Sequence, residues 1–382
     1  MSMTEQSPLA SIIRGAIEAS ASGAITLAQY MALALYHPVH GYYQRERLAP
    51  GRTGDFLTSP EASPYFGLTV ARQLIEVWDR LGQPTNWEIR EYGAGTGVLA
   101  YDIMAGISHD APEAMSGLIY RIVETNSYRR AEALTAMTEA GLGERVQISE
   151  PFDPLPMFTG VLLGNEVADA FPAHRLVVRN GELRECFVTL DGNAFTWVEG
   201  ARSETVAIMP EIEAIAQELP ENSLLEVSPA AMTWFASAAA QLDRGLALII
   251  DYGYQAEVLY SAHRLEGTLR AYRGQRVSDD PFVDPGEVDL TTHVDFSALE
   301  RAGVRAGLAP AGFTNQGDFL AHLGMGVFLV DLQQEPGITT EDYLSAKAAI
   351  FRLIEPGGLG RFGVMGMARG LDLDPPLTGF RR

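Results

Sequence analysis

The sequence predicts an α/β fold, a mainly parallel sheet with crossover helices, and two observations carry that prediction. From residue 87 onward, short runs of buried-type residues alternate with amphipathic stretches, as parallel strands joined by helices require. The first run, Glu88-Ile-Arg-Glu-Tyr, passes directly into Gly93, Gly95 and Gly97 and then into a helical pattern. Glycines at a strand-to-helix turn let backbone approach a ligand that any Cβ would push away.

The elements follow in order. Residues 9–19 and 26–36 carry apolar side chains at helical spacing, the second stretch with Thr26 as candidate cap. Residues 36–64 are rich in Gly, Pro and Tyr, and 64–81 reads as a long amphipathic helix stopped by Gly82 and Pro84. Strand 87–91, a helix from Val98, strand 118–124, a helix over 128–140, strand 145–148 and a run from Gly160 make the alternating block. The character then changes: Asn180-Gly181 between two apolar runs is a hairpin signal, since Asn-Gly suits a type I′ turn. A helix around 209–218, a run at 223–227 and a helix over 229–242 precede the buried strand 246–251. Residues 267–292 read as one long irregular loop, a length usually kept for binding. Helices near 316–323 and 340–353 come last, and the glycine-rich stretch from Gly357 is a turn into a final strand. The expected division is an N-terminal helical region and covering loop (1–83), a first core half (84–173), an inserted hairpin and helical segment (174–244) and a second core half with a substrate-side loop (245–382).

Charge narrows the function classes. With 49 acidic and 28 basic residues the formal net charge is −21, which opposes the phosphate contacts that hold nucleic acid. A neutral or cationic acceptor fits better. No apolar run reaches the roughly 20 residues a membrane span needs, so no membrane insertion is expected. The single cysteine, Cys186, leaves no intramolecular disulfide, and the histidines lack metal-ligand spacing, so no metal is expected. The first residues have neither a basic and apolar leader nor an Arg-rich one, which makes a cytoplasmic protein the expectation.

The glycine spacing selects the ligand. A dinucleotide fingerprint places its third glycine three positions after the second, where this chain has Val98. The pattern here is G-x-G-x-G with Glu91 two residues before it, a form suited to S-adenosylmethionine, whose amino-acid end has no pyrophosphate. Gly93, Gly95 and Gly97 are then cofactor-binding, and Glu91 accepts from the donor's amino group. Glu124, ending the next strand, is placed for the ribose hydroxyls; its distance of 31 positions from Gly93 is explained by an insert over 107–117. Asp153 either meets the adenine amine or closes the Phe-Asp-Pro turn.

Several blocks together resemble the MidA-like methyltransferases, a family whose mitochondrial member is a protein arginine methyltransferase needed for respiratory complex I assembly. They are Ile25-Thr-Leu-Ala-Gln-Tyr-Met, Tyr36-His-Pro, Gly41-Tyr-Tyr, Gly54-Asp-Phe-Leu-Thr-Ser-Pro-Glu and Glu91-Tyr-Gly-Ala-Gly-Thr-Gly. Downstream come Gly164-Asn-Glu-Val-Ala-Asp-Ala-Phe-Pro, Ile250-Asp-Tyr-Gly-Tyr, Gly267-Thr-Leu-Arg-Ala-Tyr and Pro285-Gly-Glu-Val-Asp-Leu-Thr-Thr-His-Val-Asp-Phe. The resemblance runs from about Ala24 to Gly366 and implies a class I methyltransferase (Rossmann-like) fold with a seven-stranded sheet. It also implies an S-adenosylmethionine donor and a protein arginine acceptor, with a complex I subunit as one partner. The rival functions are a small-molecule methyltransferase and a non-catalytic S-adenosylmethionine-binding assembly factor.

On the acceptor side, Asn165, Glu166 and Asp169 follow the fourth strand of the alternating block. Enzymes acting on base amines or glutamine amides carry Asn-Pro-Pro-aromatic at this place, and this chain does not. Two carboxylates suit a guanidinium, which stays cationic and pairs bidentately. Glu166 and Asp169 are therefore the expected catalytic acids, with Asn165 on the cofactor side. Asp251, Tyr252 and Tyr254 end the buried strand 246–251 and face the same cleft. By resemblance, Asp55, Thr58, Ser59 and Glu61 cover the donor and reach the substrate, and His293 is a candidate general base.

Overall fold

The alternating block folds into a seven-stranded sheet: β1 (Trp87–Tyr92), β2 (Leu118–Val123), β3 (Val146–Ser149), β4 (Phe158–Asn165), β5 (Leu242–Asp251), β6 (Ala309–Asn315) and β7 (Gly363–Arg369). In this computed structural model, which describes residues 7–46, 58–207, 210–273 and 276–381, the spatial order is β3-β2-β1-β4-β5-β7-β6. Strands β3 through β5 pair in parallel, and β7 runs antiparallel to both β5 and β6. Strand order reverses between β2 and β4 around β1, so a crevice opens beyond the carboxyl ends of β1 and β4, where open α/β sheets bind ligands.

Successive strand residues point to opposite faces, and here both faces are covered. Ile89, Val161, Leu163, Leu246, Leu248 and Ile250 pack with Phe66, Val70 and Leu74 of the Tyr65–Arg80 helix and Leu99 and Ile103 of the Val98–Asp110 helix. Leu162, Ala247 and Ile249 pack on the other face with Phe235 and Ala239 of the Pro229–Ala240 helix and Leu299 and Ala302 of the Phe296–Arg305 helix. Near-continuous apolar strands follow from that two-sided burial.

A second sheet stands beside the first. It contains Ile25–Thr26, Glu182–Asp191, His174–Arg179 and Leu224–Val227, with Ala194–Gly200 paired to Glu182–Asp191. Asn180 and Gly181 both adopt left-handed φ, 53° and 77°, as a type I′ hairpin demands. The N-terminal helices Pro8–Ala19 and Leu27–Tyr36 bury Leu9, Ile13, Leu27 and Met31 in one cluster with Val188 of this sheet. Thr26 and Gln29 form a capping box at the start of the second helix.

Two expectations about elements change. The segment 267–292 is not one irregular loop: Arg270–Arg273, Arg276–Ser278 and Asp289–Thr291 form a small antiparallel sheet. Strands of three or four residues, two of them studded with arginine, are too short to show a period. The helix expected to reach residue 242 ends at Ala240, because Leu242 already pairs with β4. The Phe296–Arg305 and Val327–Gln334 helices and strand β6 were not visible as patterns. Among the described residues no helix is long and apolar enough to cross a membrane.

Candidate active site

The glycine turn is built as its spacing required. Gly93, Gly95 and Gly97 have φ of 71°, 56° and 81°, and Gly97 is the N-cap of the Val98–Asp110 helix. A Cβ on Gly97 would lie 3.2 Å from both Ala133 Cβ and Met137 Cε, so this position needs glycine for conformation and for close packing. Glu124, at the tip of β2, accepts the Gly95 N–H at 2.9 Å through Oε2 and the Asn126 N–H at 2.9 Å through Oε1. Glu91 is buried and accepts the Tyr120 hydroxyl at 2.7 Å. Burial, with Glu124 nearby, pushes its carboxyl up to about 7.

Beyond β1 and β4 lies a cavity of about 1150 Å³. Glu91, Gly93, Gly95 and Glu124 line one side; Asn165, Glu166 and Glu61 line another. Tyr36, Tyr43 and Trp234 complete the wall, Trp234 stacked on Phe171 at 5.1 Å. Asn165 Oδ1 and Glu61 Oε2 are buried without a hydrogen-bond partner among the described residues, so the wall presents polar atoms to whatever fills it.

Glu166 has φ of 51°, an uncommon conformation for a residue with a Cβ, and it aims the side chain at the cavity side where Ser59 N–H donates to Oε1 at 3.0 Å. Burial first, then the charges of Asp251 and Glu61, push the Glu166 carboxyl up to about 8. Asp169 does not line the cavity: it lies half-buried near Asp251 and Asp289, and loss of solvent together with those charges raises it far above the usual carboxylate range. Asp251 spends its carboxylate on the N–H groups of Val167, Ala168 and Tyr252, at 3.0, 2.7 and 2.7 Å. It holds the turn that follows Glu166. Ser59 contributes its backbone, its hydroxyl being tied to Gln316 at 3.1 Å. Tyr252, Tyr254 and His293 stand together outside the cavity, where burial and three arginines hold His293 down to about 3. Asp153 closes its turn by accepting the Glu150 N–H at 2.7 Å. Asp55 lies outside the described residues.

A model of the S-adenosyl-L-methionine-dependent methyltransferases matches residues 69–314. The chain belongs to this methyltransferase family. A crystal structure from Burkholderia thailandensis with S-adenosylhomocysteine bound is 34% identical, with a TM-score of 0.85, over 98% of this chain and 94% of that one. A native crystal structure from the same organism gives a TM-score of 0.83 at 34% identity and the same coverage. Among curated relatives, the mitochondrial protein arginine methyltransferase NDUFAF7 of Homo sapiens is 28% identical over 83% of this chain and 74% of that protein. The Xenopus tropicalis protein of the same name is 27% identical over 94% and 87%. These mitochondrial relatives overturn the expectation of a cytoplasmic protein, because the first residues of a chain report a leader and not a compartment.

S-adenosylmethionine is this family's methyl donor, and the cavity fits it. The positive φ of Gly93 and Gly95 turns backbone toward the space, a Cβ on Gly95 would meet only Arg129 Nη1 at 3.4 Å, and Asn165 Oδ1 awaits a donor. Sequence reasoning did not find Asn126, Tyr43, Trp234 or Asp289. Asn126 caps the Ser127–Glu139 helix and donates to the Tyr43 and Arg45 carbonyls at 2.8 and 2.9 Å, tying the N-terminal segment to the glycine turn. Tyr43 donates its hydroxyl to Asp289 at 2.7 Å. Tyr43 lies in the Gly-Tyr-Tyr block and Asp289 in the block from Pro285 to Phe296; nothing local marked Asn126 or Trp234.

Proposed function

We propose that this methyltransferase acts on an arginine side chain of a protein. The observation that carries the reading is the pair of carboxyl groups, Glu166 and Glu61, on the wall of the cavity that opens from the glycine turn. S-adenosylmethionine supplies an electrophilic methyl group on a cationic sulfonium. The chain supplies position and charge, the main resources for an in-line displacement. The Gly93–Gly97 backbone and Glu91 take the amino-acid end, Glu124 takes the ribose, and Asn165 lies between donor and acceptor.

Glu166 Oε1 is occupied by Ser59 N–H, which leaves Oε2 for a guanidinium N–H. Glu61 Oε2, without a partner among the described residues, takes a second N–H of the same planar fork. An arginine gives up one proton when a nitrogen is methylated, and Glu166, with its raised affinity for protons, receives it at Oε2. Asp251 stands behind this pair and fixes the turn that follows Glu166. The relatives named as protein arginine methyltransferases support the same acceptor. By family resemblance, a respiratory complex I subunit is the first acceptor protein to try.

The test is methyl transfer to arginine-containing peptides by wild type and Glu166→Gln. Loss of one charge-assisted contact should lower kcat/KM about 10- to 100-fold while leaving affinity for S-adenosylhomocysteine intact. Equal transfer by both proteins would remove Glu166 from the reaction.

A further inference from the structure

Tyr252, Tyr254 and His293 form a plate beside the acid cluster and carry two arginines with no acidic partner. The Tyr252 and His293 rings meet edge-on at 4.2 Å, and Tyr254 reaches His293 at 5.7 Å. The Arg361 guanidinium sits 4.5 Å over Tyr252, and the Arg264 guanidinium sits 4.2 Å over Tyr254. Among the described residues, neither arginine forms an ion pair, and Arg270 nearby pairs with the exposed Asp279 at 3.5 Å and donates to the Leu269 carbonyl at 2.8 Å. Several other arginines of this acidic chain pair with acids, Arg80 with Glu76, Arg121 with Glu88, Arg130 with Glu150 and Arg179 with Glu199, while Arg14 and Arg369 donate to backbone carbonyls. All three patch arginines bear on the same imidazole, and their charges help to keep it neutral.

Stacking on an aromatic face fixes a guanidinium from behind and leaves its N–H edges free for a planar anion. The plate is also joined to the acceptor side of the cavity. Tyr252 follows Asp251, whose carboxylate holds the Val167 and Ala168 N–H groups, and Glu166 N–H donates to Ile250 O at 2.8 Å. The end of β5 therefore holds the turn that bears Glu166 and continues directly into the aromatic plate.

We propose that the Arg264–Arg361 plate docks an acidic stretch of the acceptor protein, its aspartate or glutamate carboxylates pairing with the two guanidinium edges while the neighbouring arginine enters toward Glu166. This rests on the arginine reading above and adds a sequence preference to it: the target arginine is flanked by acidic residues. Carboxylate is favoured over nucleic-acid phosphate because the net charge of −21 repels a polyanion, whereas a short acidic run meets only this local patch.

The test uses the full chain with S-adenosylhomocysteine and two fluorescent peptides of equal length, each with one arginine, flanked by aspartates in one and serines in the other. The aspartate peptide should bind about tenfold tighter, the size of two partly exposed charge-assisted contacts, and added salt should narrow the gap. The Arg264→Gln/Arg361→Gln pair should abolish the gap and leave serine-peptide affinity unchanged. If that pair fails to fold, Arg361→Glu, at an exposed position, should weaken the aspartate peptide alone. Equal affinities, a gap that survives these substitutions, or stronger competition by single-stranded DNA than by aspartate peptide would overturn the proposal. Methyl transfer separates the two claims. Transfer to both peptides at equal efficiency defeats the docking site alone, and selective binding without transfer to any arginine defeats the arginine reading alone.

Discussion

In the proposed reaction Glu166 concentrates the chemistry of the acceptor side. Its left-handed backbone, the Ser59 N–H on Oε1 and burial together place a carboxyl group that holds its proton to about pH 8. A cationic guanidinium needs the ionised form, and arginine stays charged throughout the range in which Glu166 titrates. The sign follows: below about pH 8 the carboxyl group is mostly neutral and acceptor binding is weakened, and as pH rises through that value the carboxylate appears. KM for an arginine peptide should therefore fall as pH rises from 6.5 to 8.5, about tenfold per unit at most, and level off above. Glu166→Gln should lack this step, and a wild-type KM that is flat across the window would remove Glu166 from acceptor binding.

Asn126 links elements. Its Oδ1 caps the Ser127–Glu139 helix, its N–H donates to Glu124, and its Nδ2 holds the Tyr43 and Arg45 carbonyls. Tyr43 and Gln44 line the cavity, so this one side chain fastens the N-terminal cover to the strand tip that bears Glu124. Asn126→Ser keeps a cap oxygen of similar quality and loses both donors. Two neutral hydrogen bonds of about 1 kcal/mol each imply a donor affinity weakened roughly ten- to thirtyfold with helix content unchanged; calorimetry with S-adenosylhomocysteine reads the first and circular dichroism the second. Unchanged affinity would show that the cover closes without Asn126. Much of this level was legible in the sequence. Buried strands ending in glycine, the Asn180-Gly181 hairpin and the Thr26 cap are local signals, and each sits where its local chemistry put it. The Asn126 clasp was not legible, because a cap residue reads the same whether or not its amide reaches another segment. Nor was the Tyr43–Asp289 contact, between residues far apart in the chain, or the sheet at 270–291, whose strands are too short to show alternation.

At the scale of the whole molecule, the sheet reversal around β1 sets the glycine turn and the proposed acceptor site side by side. The glycine turn leaves β1 and Glu166 follows β4, so both halves of the proposed reaction meet at one crevice while the apolar strands stay buried beneath it. The Leu27–Tyr36 helix and the second sheet contribute to the wall of this crevice, and the small sheet of Arg270–Arg273 and Asp289–Thr291 packs against the N-terminal helices. The two carboxyl groups on the cavity wall support the proposed guanidinium acceptor. The direct measurement is mass spectrometry of a proteome from cells lacking this chain, incubated with the purified protein and isotopically labelled S-adenosylmethionine. The expected result is label on arginine of one or a few proteins, absent when Glu166→Gln replaces the wild type. Label confined to small molecules or to residues other than arginine, or none transferred by a protein that binds the donor, would contradict the assignment.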